Sequence, residues 1–290
     1  MDFALRLDQP DIGKPGASRR LTFGAGLPFA ILNGLAANFE GGADEPELSL
    51  KWLAEGSADY RSEGRSYRLA GATQLLLNRG QPYRMRMRGE SFVLFFPKAA
   101  ADAAWQARCG GARSLPEIPT AAAASPASLQ KHLMALREES RAGGPDGDML
   151  IERACAVLNE VVALAQARRE QAARLPVIRK STRDELLRRL LRAESYLIDT
   201  GARATLAGAA HAAALSPFHL IRLFDAAFGE TPLAYAASKR LACARDLLIE
   251  GRASIAEAAR AAGYANRNAF DRAFARRYRM TPGALRAAAY

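Results

Sequence analysis

A chain of 290 residues, 49% hydrophobic and 24% charged, has the composition of a folded globular protein, with room for two domains at about 100–200 residues each. Its net charge of +11 is uneven: residues 180–290 carry 18 basic and 10 acidic side chains, and residues 1–179 carry 23 and 20. The C-terminal third is therefore the part suited to a polyanionic partner. Cys109, Cys155 and Cys243 are too scattered for a metal or redox motif, no apolar run approaches the ~18–20 residues of a membrane span, and "MDFALRLDQP" lacks the basic-then-apolar order of a secretory signal. A soluble, cytoplasmic protein without a membrane partner is expected.

Residues 1–119 read as antiparallel β. The runs "ELSLKWLAEG", "YRSEGRSYRLAG" and "TQLLLNRGQPYRMRMRGESFVLFFP" are strand-like and broken at hairpin spacing. Gly56, Gly64, Gly71, Gly80 and Gly89 recur every seven to nine residues, a rhythm suited to a small sandwich or barrel. In "YRMRMR", alternation sends Arg84, Arg86 and Arg88 to one face and Tyr83, Met85 and Met87 to the other. Arginines turned outward, with Tyr83, Met85 and Met87 packed inside, are the commoner arrangement. The three histidines, His132, His211 and His219, all lie outside residues 1–119, so no metal or other cofactor is expected there.

Residues 120–178 form a second segment, opened by the loose "TAAAASPAS". Leu129, Leu133 and Leu136 share one helical face; Leu150, Ala154, Val157, Val161 and Leu164 share another. The second stripe suits either a dimer interface or packing on the β-domain of the same chain. "PVIRKST" (Pro176–Thr182) reads as a linker, with Thr182 and Glu185 spaced as a capping box for the helix that follows.

Residues 179–290 are predicted all-helical and internally repeated. "SPFHLIRLFDAAFGETP" and "NRNAFDRAFARRYRMTP" align at an offset of 50: Leu220 with Phe270, Arg222 with Arg272, Phe224 with Phe274, Phe228 with Tyr278, Thr231-Pro232 with Thr281-Pro282. Upstream the offset is 49, pairing Thr205 with Ser254 and Ala210 with Ala259. A phase change of one residue between two in-phase blocks marks an adjustable turn between two short helices. Ser216 and Pro217 start a helix, Ser254 and Glu257 form a capping box, and Gly263 stops a helix. Ala209, Ala210, Ala258 and Ala259 permit close helix approach, while Leu220, Leu223, Phe224, Phe228, Phe270, Phe274 and Tyr278 are expected to supply core. These are two helix-turn-helix units joined by the longer helix of "LAYAASKRLACARDLLIEG".

Over residues 182–288 the chain resembles the AraC/XylS-type bacterial transcription regulators. The resemblance is strongest in "SIAEAARAAGYANRNAFDRAFARRYRMTPGALR", with "SPFHLIRLFDAAFGETPLAYAASKRLACARDLL" resembling the first unit and connecting helix. It implies an α+β chain: a cupin-like β sensor domain (barrel or sandwich) over 1–119, a helical linker and dimerisation region over 120–178, and a tandem DNA-binding domain over 179–290. It further implies a regulator of double-stranded DNA, controlled by a small-molecule effector or by homodimerisation, with RNA polymerase as a further partner. No catalytic residue is assigned. A cupin-type enzyme with an appended helical domain is the alternative, and it would need a ligand or nucleophile set that the sequence lacks. His211 and Ile221 depart from the family pattern, Ile221 standing where a polar reader is usual.

In such units the early, outward residues of the second helix meet base edges. These are Phe218, Ile221 and Arg222 in the first unit, and Arg267, Asn268, Asp271 and Arg272 in the second. Arg suits guanine, Asn adenine, Asp cytosine, and Ile a thymine methyl. Asp271 equally suits an intrahelical pair with arginine. Thr205, Ser216, His219, Ser254, Arg276 and Arg277 are placed for phosphate. Tyr83, Met85 and Met87 are the candidates for an effector pocket.

Overall fold

The structure is a computed structural model that describes residues 6–8, 18–22, 30–70, 73–110, 114–141 and 147–288; Gly71 lies outside them. The chain divides into two compact units, Met1–Ala173 and Arg174–Tyr290.

The first unit is built on one antiparallel sheet, as the alternating runs predict. Its strands are β1 (Arg6–Asp8), β2 (Ser18–Thr22), β3 (Ala30–Ala43), β4 (Leu48–Ser62), β5 (Arg65–Ala70), β6 (Thr73–Leu77), β7 (Tyr83–Phe96) and β8 (Ala122–Ala124). Their order is β1-β2-β3-β7-β4-β6-β8, with β5 paired to β4. The β4–β5 hairpin closes on Glu63-Gly64, both at positive φ (51° and 72°), the pattern of a type I′ turn whose twist matches the strands.

The first half of β4 and the second half of β7 are covered on both faces. Leu48, Leu50 and Trp52 of β4, with Phe92, Leu94 and Phe96 of β7, join a core completed by helices. On the opposite face, Leu53, Tyr60, Leu75, Leu77, Tyr83, Met85 and Met87 form a second buried cluster. The alternation in "YRMRMR" is thus realised with Tyr83, Met85 and Met87 inside; Arg84 and Arg86 stand outside, paired with Asp44 (2.6 Å) and Glu40 (2.7 Å). Each fully buried Leu, Phe or Met side chain contributes about 1.5–3 kcal/mol relative to exposure.

One element contradicts the all-β reading of 1–119. Helix α1 (Lys98–Cys109) follows β7 at once, opened by Pro97, and seats a buried Trp105 in the first core. Helices α2 (Ala127–Arg141) and α3 (Gly147–Arg174) belong to the same compact unit as the sheet. Leu129, Leu133 and Leu136 of α2, and Ala154, Val157 and Val161 of α3, are buried in that core beside Trp52 and Phe92. Ala154, Val157 and Val161 of the second stripe are therefore packed within one chain, and Leu164 is half-buried; the side chain of Leu150 is not among those described. Arg137 ties α2 to the sheet, donating from Nε to Glu90 at 3.0 Å and from a terminal nitrogen to Glu55 at 3.1 Å.

In the second unit, α4 (Lys180–Thr200) starts inside the stretch expected to be linker. Arg179 holds the N-cap position without a side-chain bond, so the box expected from Thr182 and Glu185 does not form; Glu185 instead pairs with Arg188 (3.4 Å) and Arg189 (3.3 Å). After a 3₁₀ turn at Gly201–Arg203 come α5 (Leu206–Ala213), α6 (Pro217–Phe228), α7 (Pro232–Ile249), α8 (Ile255–Ala261), α9 (Arg267–Tyr278) and α10 (Pro282–Ala288). Among the described residues, no helix is long and apolar enough to cross a membrane.

Candidate nucleic-acid interface

The two helix pairs, α5–α6 and α8–α9, are built by one local recipe. Thr205 opens α5, its hydroxyl accepting from the Gly208 amide (3.0 Å). Ser254 opens α8, accepting from Glu257 N–H (3.3 Å) while the Glu257 carboxylate accepts from Ser254 N–H (2.7 Å). Those hydrogen bonds to Ser254 hold the Glu257 carboxyl below the ordinary glutamate range. Both first helices end in a left-handed residue, Ala214 (φ 52°) and Gly263 (φ 81°). The next amide then reaches back: Leu215 N–H to Ala210 O at 3.0 Å, and Tyr264 N–H to Ala259 O at 2.9 Å, the helix-ending bond that satisfies an orphan carbonyl.

Between left-handed residue and new N-cap, the first turn has Leu215 alone, and the second has Tyr264 and Ala265. Ala265 is the residue that changes the repeat offset from 49 to 50. Ser216 caps α6, accepting from His219 N–H (3.3 Å), and Asn266 caps α9, accepting from Asn268 N–H (2.8 Å). The role of Asn266 was missed from sequence, although an Asn opening the repeated phrase, in the place Ser216 holds in the first copy, is a usable signal. Each second helix is 12 residues and ends in another left-handed residue, Gly229 or Arg279. The aligned Thr-Pro pairs open the helices that follow, α7 and α10, with proline in the first turn.

Ala214 occupies a conformation that an L residue with a Cβ adopts at a cost of about 1 kcal/mol, which glycine avoids. Ala214→Gly is expected to raise the stability of the second unit by roughly 0.5–1 kcal/mol, measured as a shift in its denaturant midpoint. No gain would mean that the repeat tolerates this turn without strain.

Each second helix turns its apolar side inward and its early polar side outward. Leu220, Leu223 and Phe224 are buried in the first unit, where Phe224 stacks on Phe228 with centroids 4.2 Å apart. Phe270 and Phe274 are buried in the second, against Leu241, Ala244 and Leu248 of α7. The anticipated readers lie on the free faces. Phe218 is 78% exposed, Arg222 is exposed with a terminal nitrogen 3.3 Å from His219 Nε2, and Ile221 is half-buried. On α9, Arg267, Asn268 and Arg272 are exposed, while half-buried Asp271 lies 3.7 Å from Arg267. Asp271 thus takes up the intrahelical pairing that its spacing also allowed. Arg276 and Arg277 are exposed on the last turn. Helix α9 bears four arginines against one aspartate, whereas α6 bears Arg222 and Asp225, so the second unit carries more of the phosphate-attracting charge.

The two units are held together by α7. Arg240 donates to Gly201 O (3.2 Å) beside the first unit and to Ala262 O (3.0 Å) in the turn of the second. A Cβ on Gly263 would lie 2.3 Å from Ala202 Cβ, so only glycine permits that approach.

Residues 209–288 match the helix-turn-helix domain family. Among solved structures, the chain is similar to a transcriptional regulator with an AraC-type DNA-binding domain from Chromobacterium violaceum, at 26% identity over 35% of this chain and 91% of that one (TM-score 0.33). It is also similar to an apo variant of ToxT from Vibrio cholerae, at 13% identity over 89% and 96% of the two chains (TM-score 0.37). A third is the AraC-like transcriptional activator CuxR, at 18% identity over 83% and 86% (TM-score 0.34). No curated protein matches the chain. Residues 209–288, within the C-terminal unit, form a helix-turn-helix domain.

Proposed function

We propose that the chain is a sequence-specific transcription regulator, with α6 and α9 reading two successive major grooves about 34 Å apart along one duplex. The observation that carries this reading is the doubled helix-turn-helix, closed twice by the same backbone bonds and presenting Arg222 and Arg272 at equivalent exposed positions. Phe218, Ile221 and Arg222 of α6, and Arg267, Asn268 and Arg272 of α9, meet base edges, with Asp271 orienting Arg267 from within the helix. The hydroxyls of Thr205, Ser216 and Ser254 each accept one capping hydrogen bond and keep a proton for a phosphate oxygen; His219, Arg276 and Arg277 add to that contact. The N-terminal unit governs this activity through a small-molecule effector or self-association, and RNA polymerase is the further partner of a regulator working in the cytoplasm.

Site selection from random duplexes by the full-length protein supplies the sequence for a paired test. Arg272→Ala is expected to lose about 1–3 kcal/mol on the selected site and little on a scrambled one. Arg277→Ala is expected to weaken both alike and reduce the slope of log K against log salt by roughly one. Equal losses on both duplexes for Arg272→Ala would remove it from the base readers, and failure to enrich any site would remove the sequence-specific reading.

A further inference from the structure

We propose that the first helix-turn-helix unit selects its block of the duplex by the C5-methyl group of a pyrimidine, thymine or 5-methylcytosine, received by Phe218 and Ile221 of α6. Helix α9 selects the other block by hydrogen bonds. The inference deepens the sequence-specific reading given above and rests on it.

The repeat supplies the comparison. At the offset of 50, Phe218 takes the place that Asn268 holds in α9, and Ile221 the place of Asp271, while Arg222 and Arg272 are alike. Both helices are 12 residues long and each opens on a side-chain cap, Ser216 or Asn266, so matched residues share a helical phase. The difference is one of chemistry: where α9 offers an amide and a carboxylate, α6 offers hydrocarbon.

The fold does not consume Phe218. It is 78% exposed and the only exposed phenylalanine among the described residues. The core of the first unit is filled without it, by Leu220, Leu223 and Phe224, with Phe224 and Phe228 set edge-on to Tyr235 at 5.4 Å and 5.3 Å. Ile221 is half-buried and lies three residues on, beside Phe218 on the same side of the helix. The neighbouring polar groups face each other, Arg222 placing a terminal nitrogen 3.3 Å from His219 Nε2. An apolar pair at the entering end of a groove-reading helix is matched by an apolar feature of the groove. In the major groove that feature is the thymine methyl, which cytosine lacks and 5-methylcytosine restores on the same atom. The two blocks of the site are therefore unlike in composition, and the chain binds them in one orientation.

The test uses the full-length protein and the duplex obtained by site selection. The block whose base preference Arg272→Ala relaxes belongs to α9. Each thymine is then replaced singly by uracil, which removes the methyl and keeps the O4 acceptor and the pairing. At least one replacement in the α6 block is expected to weaken binding ~3–5-fold, the worth of one methyl group withdrawn from water. Replacements in the α9 block are expected to leave binding unchanged. At the sensitive position, 5-methylcytosine is expected to bind more tightly than cytosine by a similar factor. Phe218→Ala or Ile221→Ala is expected to bind thymine and uracil duplexes alike, with the wild-type affinity for uracil showing that the variant is folded. Uracil tolerated throughout the α6 block, equal losses in both blocks, or discrimination intact in both variants would each overturn the assignment. Failure of the underlying reading looks different: no duplex is enriched, and the methyl readout falls with it. An enriched two-block site in which every methyl is dispensable keeps the sequence-specific reading and removes the methyl readout alone.

Discussion

Lys51→Met is expected to flatten the pH dependence of the first unit's stability between pH 7 and 10. In the folded protein the Lys51 pKa is lowered to about 7 by burial, against an ordinary 10.5. Between those values the unfolded chain binds one more proton than the folded chain, so stability rises with pH, by up to ~1.4 kcal/mol per unit. Below pH 7 the full penalty of the buried ammonium is present; above 10.5 it is gone. Across the whole window the shift corresponds to something on the order of 4–5 kcal/mol as an upper bound. The titratable groups that face Lys51 among the described residues are Tyr83 of β7 and, beyond it, Tyr60 of β4, whose rings lie 5.9 Å apart. Burial raises the pKa of both, so their effect is a loss of stability only as pH climbs past 10, and the scan stops short of it. Methionine keeps the unbranched shape without the charge, so the variant is expected to be the more stable protein at pH 7 and the less pH-sensitive one throughout. Denaturant titrations at pH 6.5 and 9.5 read both effects, and parallel pH profiles for the two proteins would show that Lys51 is not the buried cation described.

That lysine also shows where the sequence stops being informative. Alternation in a strand identifies an inner and an outer face only when one face meets water. In "YRMRMR" it does, and Tyr83, Met85 and Met87 were placed inside correctly. In "LSLKWLAEG" both faces are covered, so a lysine at an apparently outward position is buried. Helix α1 escaped for a different reason: "KAAADAAWQARC" has one large apolar residue, Trp105, and its alanines give no face. The C-terminal unit was far more legible because its signals are redundant. The apolar phase of Leu220, Leu223 and Phe224 repeats in Phe270 and Phe274, and the caps at Ser216 and Ser254 stand where the turn needs them. Two copies also fix each other's boundaries, which is how a one-residue change of offset located a turn before Ala265 could be assigned to it. The Thr182–Glu185 spacing had no such second copy, and the N-cap of α4 falls three residues earlier, at Arg179.

Gly56→Ala is expected to cost the first unit more than ~3 kcal/mol, although the comparable Gly64→Ala costs about 1 kcal/mol. Both glycines have positive φ, 94° and 72°, so the backbone penalty for a Cβ is of the same kind. The difference is space. Nothing lies within 4 Å of a Cβ on Gly64, at the tip of its hairpin, but a Cβ on Gly56 would sit 1.9 Å from Arg88 O and 2.8 Å from Gly89 Cα. Gly89 (φ 112°) is the register partner of Gly56, and a Cβ there would meet Glu55 O at 2.2 Å. The obstacles are backbone atoms of paired strands, which move only by opening the β4–β7 ladder. Beside them the register shifts between Leu53 and Glu55, the local irregularity by which a bulge re-aims a strand. This bend lets Leu53 before it and Tyr60 after it enter one cluster, the cluster that includes Tyr83, the hydrogen-bond partner of Lys51. The second unit has its own core in Leu241, Ala244, Phe270 and Phe274, so its unfolding transition is expected to stay in place while that of the first moves down. Calorimetric scans of wild type, Gly56→Ala and Gly64→Ala decide the matter: equal small shifts for the two variants would mean that β4 and β7 separate at this point at little cost, and the bend would lose its place as the feature that shapes the interior face.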